Sequence, residues 1–481
     1  MHEWLAQLWA LHPWFPRAFY YVETMLIFYV AAINLIYAVL IVVGFFTLTR
    51  FSGRIFQAEL DTLVNSPLLP AIAVIAPAYN EELSVRESVR SMLRLRYPEH
   101  EVIVVNDGSK DSTLAVLIEE FKLYRSSRVQ TGTIPTKPVR GVYESREPIR
   151  LLVIDKENGG KADSLNAGIN YCRYPLFAAV DSDSLIERDA LFRVAKPFLD
   201  NPGMVATGGI VRVVNDCTVE HGAVTEVRVP SALLARFQAV EYLRAFLGGR
   251  VAFSLLDSLL LISGAFGVFR RDVVLEVGGF EIGTVGEDME LVVRLHRHMV
   301  ETKRPYKIEF VPEPVCWTEV PESARVLKRQ RNRWQRGSVE TLWKHRKMFF
   351  NPKYGLVGMF GVPYFAFFEV AGPVVELLGY FMTVAGITLG LIMPKVALVF
   401  FLVSVLFGLV LSMSSILLEE FTLRKYPAAR DVRILLWSAV IESLGFRQLT
   451  AVWRLQGLID AARGKTGWGK MERKGFKRPA G

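Results

Sequence analysis

Residues 177 to 185 read FAAVDSDSL, an apolar run that stops at Asp181 and Asp183. Alternate residues of an extended segment face the same way, so both carboxylates can point at one spot beyond the strand end. Two like charges so close are costly unless a cation lies between them or donors surround them. Hard oxygen ligands favour Mg2+ or Mn2+, ions usually completed by water and a substrate diphosphate rather than by a full protein cage. A lone D-x-D is common by chance; its position after a buried apolar run gives it weight. No G-x-x-x-x-G-K-S and no G-x-G-x-x-G follows the first strand, which argues against ATP hydrolysis and dinucleotide redox chemistry. A diphosphate would therefore be held by metal and basic side chains. A second acidic pair, Glu287 and Asp288, follows the GGF turn at 278 to 280. At a helix start these carboxylates can offset the helix dipole, and Asp288 can also serve as a base toward a hydroxyl.

Four apolar runs end on polar turns: AIAVIAPAYN from 71, EVIVVNDGS from 101, IRLLVID from 149 and LFAAVDSDS from 176. Helical periodicity fills the gaps over Glu82 to Leu95, Ser112 to Tyr124 and Ala162 to Tyr171. This alternation predicts an α/β domain with a mostly parallel sheet covered by helices on both faces. In such a sheet ligands bind at the carboxyl ends of the strands, where the chain places PAYNEE, NDGSKDS, DKENGGKADSLN and DSDS. Turn-forming residues are ordinary in any single loop; four strands ending this way point to a site. Residues 126 to 148 read as a flexible loop.

The flanks have a different composition. The chain has 481 residues, 51% of them hydrophobic, and a positive mean hydropathy. Met25 to Thr49 carries no charge and is long enough to cross a bilayer as a helix. It begins too far in, and runs too long, to be a cleaved signal peptide. Leu377 to Pro394 and Val396 to Leu418 are also uncharged, so the protein is expected to be integral to a membrane. Arg50 and Arg54 follow the first span and only Arg17 precedes it, which puts the middle domain in the cytosol. Val357 to Met393 is expected to make one crossing preceded by an interfacial or re-entrant piece. Ile434 to Ile459, interrupted by Glu442, Arg447 and Arg454, reads as a span or an interfacial helix. The net charge of +9 comes without a nucleic-acid reader motif, so no nucleic-acid partner is expected. The three cysteines have neither metal-ligand spacing nor a disulfide framework, as suits a reducing cytosol.

Taken together, these motifs resemble those of membrane-bound inverting family-2 glycosyltransferases, the group of hyaluronan, cellulose, chitin and poly-N-acetylglucosamine synthases. The similarity runs from Pro77 to Gly337 and implies a GT-A-like, Rossmann-type fold. It implies a nucleotide-binding turn at PAYNEE, with Pro77, Tyr79 and Glu81, and places Asp107 near a uracil base. Lys161, Asp181, Gln330 and Arg333 would hold the donor, and Asp181 with Asp183 the metal. SGAFGVFRR, through Gly264 and Ala265, would support the acceptor together with Glu287 and Trp334. Asp288 corresponds to the catalytic base, and QRNRW at 330 to 334 to the Q-x-x-R-W signature of processive members.

The residues make chemical sense in these roles. Inverting sugar transfer needs a base for the acceptor hydroxyl, and the departing UDP needs cationic support from a divalent ion, Lys161 and Arg333. No separate nucleophilic carboxylate for a retaining route is indicated. The expected organisation is an N-terminal span (1–50), a cytosolic transferase domain (51–325), an amphipathic interfacial helix (326–356), C-terminal transmembrane and interfacial helices (357–460) and a basic cytosolic tail (461–481). Within that tail, Trp468 to Arg473 resembles part of a gating loop or is a plain basic anchor. The expected partners are a UDP-sugar (UDP-N-acetylglucosamine by overall similarity), a growing polysaccharide, the bilayer and accessory export subunits. The inner (plasma) membrane is the expected location. Transfer of a single sugar to polyprenyl phosphate is the alternative, and a non-catalytic nucleotide-sugar receptor a remoter one.

Overall fold

The computed structural model describes residues 12–52, 68–146, 149–426 and 428–465; Arg54 and the Trp468 to Arg473 segment lie outside them. Four apolar runs form the centre of the sheet: β1 (Ile72–Ala78), β2 (His100–Asp107), β5 (Leu151–Lys156) and β6 (Leu176–Val180). They pair in parallel in the order β5-β2-β1-β6. β6 is buried along its whole length and β1 at all but one position, because helices cover both faces. Beyond β6 the sheet turns antiparallel through β11 (Phe266–Arg270), then continues with β8 (Met204–Val213), β12 (Lys307–Thr318) and the short β7 (Leu185–Ile186). The opposite edge carries β4 (Val139–Glu144) and β3 (Tyr124–Arg125). A two-stranded ribbon, β9 (Thr218–Glu220) and β10 (Ala223–Glu226), stands apart. The sheet is thus mixed, with a parallel centre, a second parallel pair in β8 and β12, and antiparallel strands at both edges.

Of the stretch expected as a flexible loop, 126 to 148, the described residues 126 to 146 are anchored instead. Arg128 donates both guanidinium arms to Glu101 at 2.9 and 3.1 Å. Asn170 accepts from the backbone of Thr131, Gly132 and Ile134 and donates to Ile134 O at 2.8 Å. Its last third is β4, paired with β5. Polar side chains distant in sequence satisfy this backbone, so local composition alone misread it.

The N-terminal helix, Trp14–Ser52, has 39 residues, about 58 Å at 1.5 Å per residue and longer than a bilayer core. Among the described residues two helical stretches, Trp14–Leu48 and Val405–Thr422, are long and apolar enough to cross. A third candidate is the pair Val357–Val370 and Gly372–Thr388, bent by 42°. The bend falls just before Pro373, which lacks an N–H for the helical ladder. The expected single segment Ile434 to Ile459 is broken in two, Ala429–Ile441 and Arg447–Ala462, because Leu444 and Gly445 leave helical backbone angles. The QRNRW segment lies in the helix Ala324–Lys344, capped by Ser323. That helix buries Gln330, Arg331, Gln335 and Gly337 and packs along the Arg447–Ala462 helix.

Candidate active site

At the end of β1, Pro77 leads into an exposed turn in which Tyr79 keeps 45% of its surface open. Glu81 is held inward: its N–H donates to Thr113 Oγ1 at 2.9 Å and its Oε2 accepts from Ser84 Oγ at 2.6 Å. Asp107 closes β2 with its carboxylate committed to the following crossover. Oδ1 accepts from Lys156 Nζ at 2.8 Å and Gly159 N at 2.9 Å, and Oδ2 from Gly160 N at 2.8 Å and Asn158 Nδ2 at 3.1 Å. The aspartate thus shapes the loop from which the Lys161–Tyr171 helix starts. Lys156 is completely buried and bridges Asp107 and Asp163, the latter at 2.5 Å. Without those two carboxylates a buried ammonium at this place would be prohibitively costly.

Lys161 stands at the meeting point of the site. Its Nζ lies 2.5 Å from Asp181 Oδ1 and 3.6 Å from Glu287 Oε1 and donates to Gly264 O at 3.0 Å. Burial works against its charge, yet Asp181, Glu287 and Asp288 together hold the ammonium above the ordinary lysine range. Burial and repulsion from Asp181 push Asp183 up to about 7. Burial likewise raises Glu287, Lys161 opposing it and Asp288 adding to it. Asp288 follows Glu287 at the first turn of the Glu287–Glu301 helix, its Oδ1 accepting from Met289 N at 2.8 Å. One carboxylate oxygen is thus taken by the next backbone N–H, and the other faces Gly264. A Cβ placed on Gly264 would come within 2.9 Å of Asp288 Oδ2 and 3.2 Å of Lys161 Nζ. Only glycine leaves both groups undisturbed there.

The QRNRW helix forms the opposing wall. Gln330 is buried, and Trp334, 41% exposed, lies under the Arg331 guanidinium at 4.5 Å from its ring centre. Arg331 itself forks onto Glu241 at 2.8 and 2.7 Å. Gly337 meets Gly286 backbone to backbone: a Cβ on Gly337 would sit 2.9 Å from Gly286 Cα. This contact ties the QRNRW helix to the start of the helix bearing Asp288.

A cavity of about 1380 Å³ joins these parts. Every expected site residue lines it: Pro77, Tyr79, Glu81, Asp107, Lys161, Asp181, Asp183, Gly264, Ala265, Glu287, Asp288, Gln330, Arg333 and Trp334. The same cavity continues between the apolar helices past Glu369, Glu376 and Glu442. Glu369 pairs with Arg454 at 3.3 Å and Glu442 with Arg244 at 2.9 Å, while Glu376 accepts from Tyr380 Oη at 2.8 Å. Sequence reading missed Lys156, Arg331 and the Gly286 and Gly337 contact. Lys156 sits where an apolar strand becomes a polar turn, and nothing local marks it as buried.

Two family models match the chain, glycosyl transferase family 2 over residues 73–278 and glycosyl transferase family group 2 over residues 176–418. The chain belongs to the family-2 glycosyltransferases and is an enzyme of that class. A poly-β-1,6-N-acetyl-D-glucosamine synthase of Staphylococcus epidermidis is 29% identical over 272 residues, 56% of this chain and 55% of that protein. The same-named enzyme of Staphylococcus aureus strain COL is 27% identical over 280 residues, 58% of this chain and 57% of its own. The chain thus spans about half the length of the curated relatives it matches. A mannosyltransferase from Pyrobaculum calidifontis, solved with GDP-Man and Mn2+, superposes with a TM-score of 0.52 at 17% identity, covering 88% of this chain and 99% of that one. That likeness is one of fold.

Proposed function

We propose that the chain is an inverting, processive transferase that takes N-acetylglucosamine from its UDP derivative and adds it to the end of a β-linked polysaccharide. In this reading the product crosses the inner membrane between the enzyme's own helices, with the transferase domain on the cytosolic side. The observation that carries it is the continuity of the cavity from Asp181, Asp183 and Asp288 to Glu369, Glu376 and Glu442. A polar polymer cannot pass hydrocarbon unaided, and ionisable side chains inside an apolar bundle are costly even when paired, so three glutamates along the cavity support such a path. The activity named for the staphylococcal relatives supports the choice of sugar.

In this mechanism Asp288 removes the proton of the acceptor hydroxyl as its oxygen attacks the anomeric carbon from the face opposite the diphosphate. The bond between that carbon and the UDP oxygen breaks, and the electron pair leaves with UDP. Lys161 and Arg333 stabilise the charge that grows on the diphosphate. Asp181 and Asp183 would hold a hard divalent cation, Mg2+ or Mn2+: both line one cavity, and a cation would offset the burial and the repulsion from Asp181 that raise Asp183. Among the described residues no cluster of three or more His, Cys, Asp or Glu surrounds this point, so diphosphate oxygens and water would complete the coordination. Bound there, the ion would neutralise the leaving group. Tyr79 and Asp107 would flank the uracil and Trp334 an acceptor sugar, with Gln330 reaching the diphosphate.

The test is turnover of a panel of UDP-sugars with Mn2+, followed by mass analysis of the products. Long β-linked chains are expected from UDP-N-acetylglucosamine; one-residue products would instead favour transfer to a polyprenyl phosphate. Asp288→Asn is expected to cut UDP release by about 10²- to 10⁴-fold, and unchanged release would remove Asp288 from the base role.

A further inference from the structure

Arg250 ends the π-helical segment Arg244–Arg250 and lines the catalytic cavity. Three other arginines of that cavity each hold a glutamate: Arg244 takes Glu442 at 2.9 Å, Arg331 takes Glu241 at 2.7 Å and Arg454 takes Glu369 at 3.3 Å. Arg250 holds none. Its Cζ lies 4.2 Å over the Phe246 ring, and its Nη1 is buried without a hydrogen-bond acceptor among the described residues. Phe246 is itself stacked on Phe310 at 5.9 Å, so the cation is backed by a fixed apolar surface. Burial pushes the guanidinium down to about 10 against the attraction of Asp288. A buried donor group left without an acceptor is a net cost to the fold, and such groups in native structures mark places where something else supplies the acceptor.

The location narrows what that something is. At one end of the segment Arg244 reaches Ser412 and Glu442 in the C-terminal helices, and at the other Arg250 comes under the field of Asp288. The middle is wedged against the N-terminal helix: a Cβ on Gly44 would meet Leu247 O at 2.6 Å. Arg250 therefore lies within the electrostatic reach of the base, on a segment that also touches the N-terminal and C-terminal helices lining the same cavity.

Building on the polymerase reading above, we infer that Arg250 binds the acceptor, its N–H groups donating to oxygens of the terminal sugar whose hydroxyl Asp288 deprotonates. A planar fork fixes both the position and the rotation of that sugar, which a single ammonium would not. The test uses the full chain in detergent or nanodiscs with UDP, Mn2+ and a short β-linked N-acetylglucosamine oligosaccharide. Arg250→Met keeps an apolar stem over Phe246 and removes the donors. It is expected to weaken oligosaccharide binding about tenfold and to raise the acceptor concentration for half-maximal elongation by a similar factor. The melting temperature should hold or rise, since an unsatisfied buried charge is removed, and UDP affinity should not change. Arg250→Lys should recover part of the acceptor binding. Equal oligosaccharide binding by wild type and Arg250→Met, no binding by wild type, or a loss that tracks a fall in melting temperature would each overturn the assignment. A wild type that binds the oligosaccharide yet never extends it would overturn the polymerase reading and leave the Arg250 site standing.

Discussion

Lys156 and Asp107 carry a lesson in what a buried charge requires. Lys156 has no exposed side-chain surface, and Asp107 and Asp163 are both within ion-pair distance. Replacing it by Met leaves two buried carboxylates without their cation, a loss of about 3–5 kcal/mol for breaking a buried pair. Lys156→Met should therefore lower the melting temperature of the detergent-solubilised protein by several degrees. An unchanged melt would mean that Asp107 is held sufficiently by its three neighbours in the 158–160 loop. Legibility was uneven at this scale. Asp181, Asp183 and Asp288 could be picked out because each follows a break in an apolar or turn-forming pattern. Lys156 and Arg250 could not, since their meaning lies in what surrounds them: two distant carboxylates in one case, a buried Nη1 with no acceptor among the described residues in the other.

Helices matter here through the few atoms at which they touch. Gly286 and Gly337 bring two backbones together with no side chain between them. Gly337→Ala would force the QRNRW helix and the Asp288 helix apart by a methyl group, an overpacking cost of about 1–3 kcal/mol. Sugar transfer should fall at least tenfold while UDP is still bound, as a comparison of turnover with UDP affinity would reveal. The Asp288 helix has a second anchor in His296, which lies between Tyr306 Oη at 2.8 Å and Leu259 O at 2.9 Å. Burial lowers His296 from 6.5 to about 4. The unfolded chain takes up the proton first, so this contribution to stability is present above about pH 6.5 and is lost as pH falls toward about 4. His296→Gln should flatten the acid side of a plot of melting temperature against pH; a slope like that of wild type would count against this anchor. Element existence was readable from periodicity for the parallel centre of the sheet. The pinning of residues 126 to 146 was not, because it depends on tertiary contacts that override local preference, and at Leu444 and Gly445 a lone glycine is too weak a cue to mark a break.

At the scale of the whole molecule, the sheet domain and the apolar helices share one cavity, so on the proposed reading synthesis and passage are expected to respond to the same obstruction. Thr450, on the Arg447–Ala462 helix, lines the part of the cavity between helices. Thr450→Trp should shorten the polymer, measured by size-exclusion of the product, and leave UDP affinity as it was; full-length product would argue against a path along this helix. The apolar flanks were evident from composition and the candidate site from its motifs. Their union in a single space was not, because cavity continuity is a property of packing among segments hundreds of residues apart.

That shared space has a mechanical corollary. On the proposed polymerase reading, and with one continuous cavity among the described residues, a finished unit would have nowhere to wait. Each increment would have to slide forward by its own length before another donor could seat, so a jam downstream would silence the chemistry upstream and secretion would set the pace of growth.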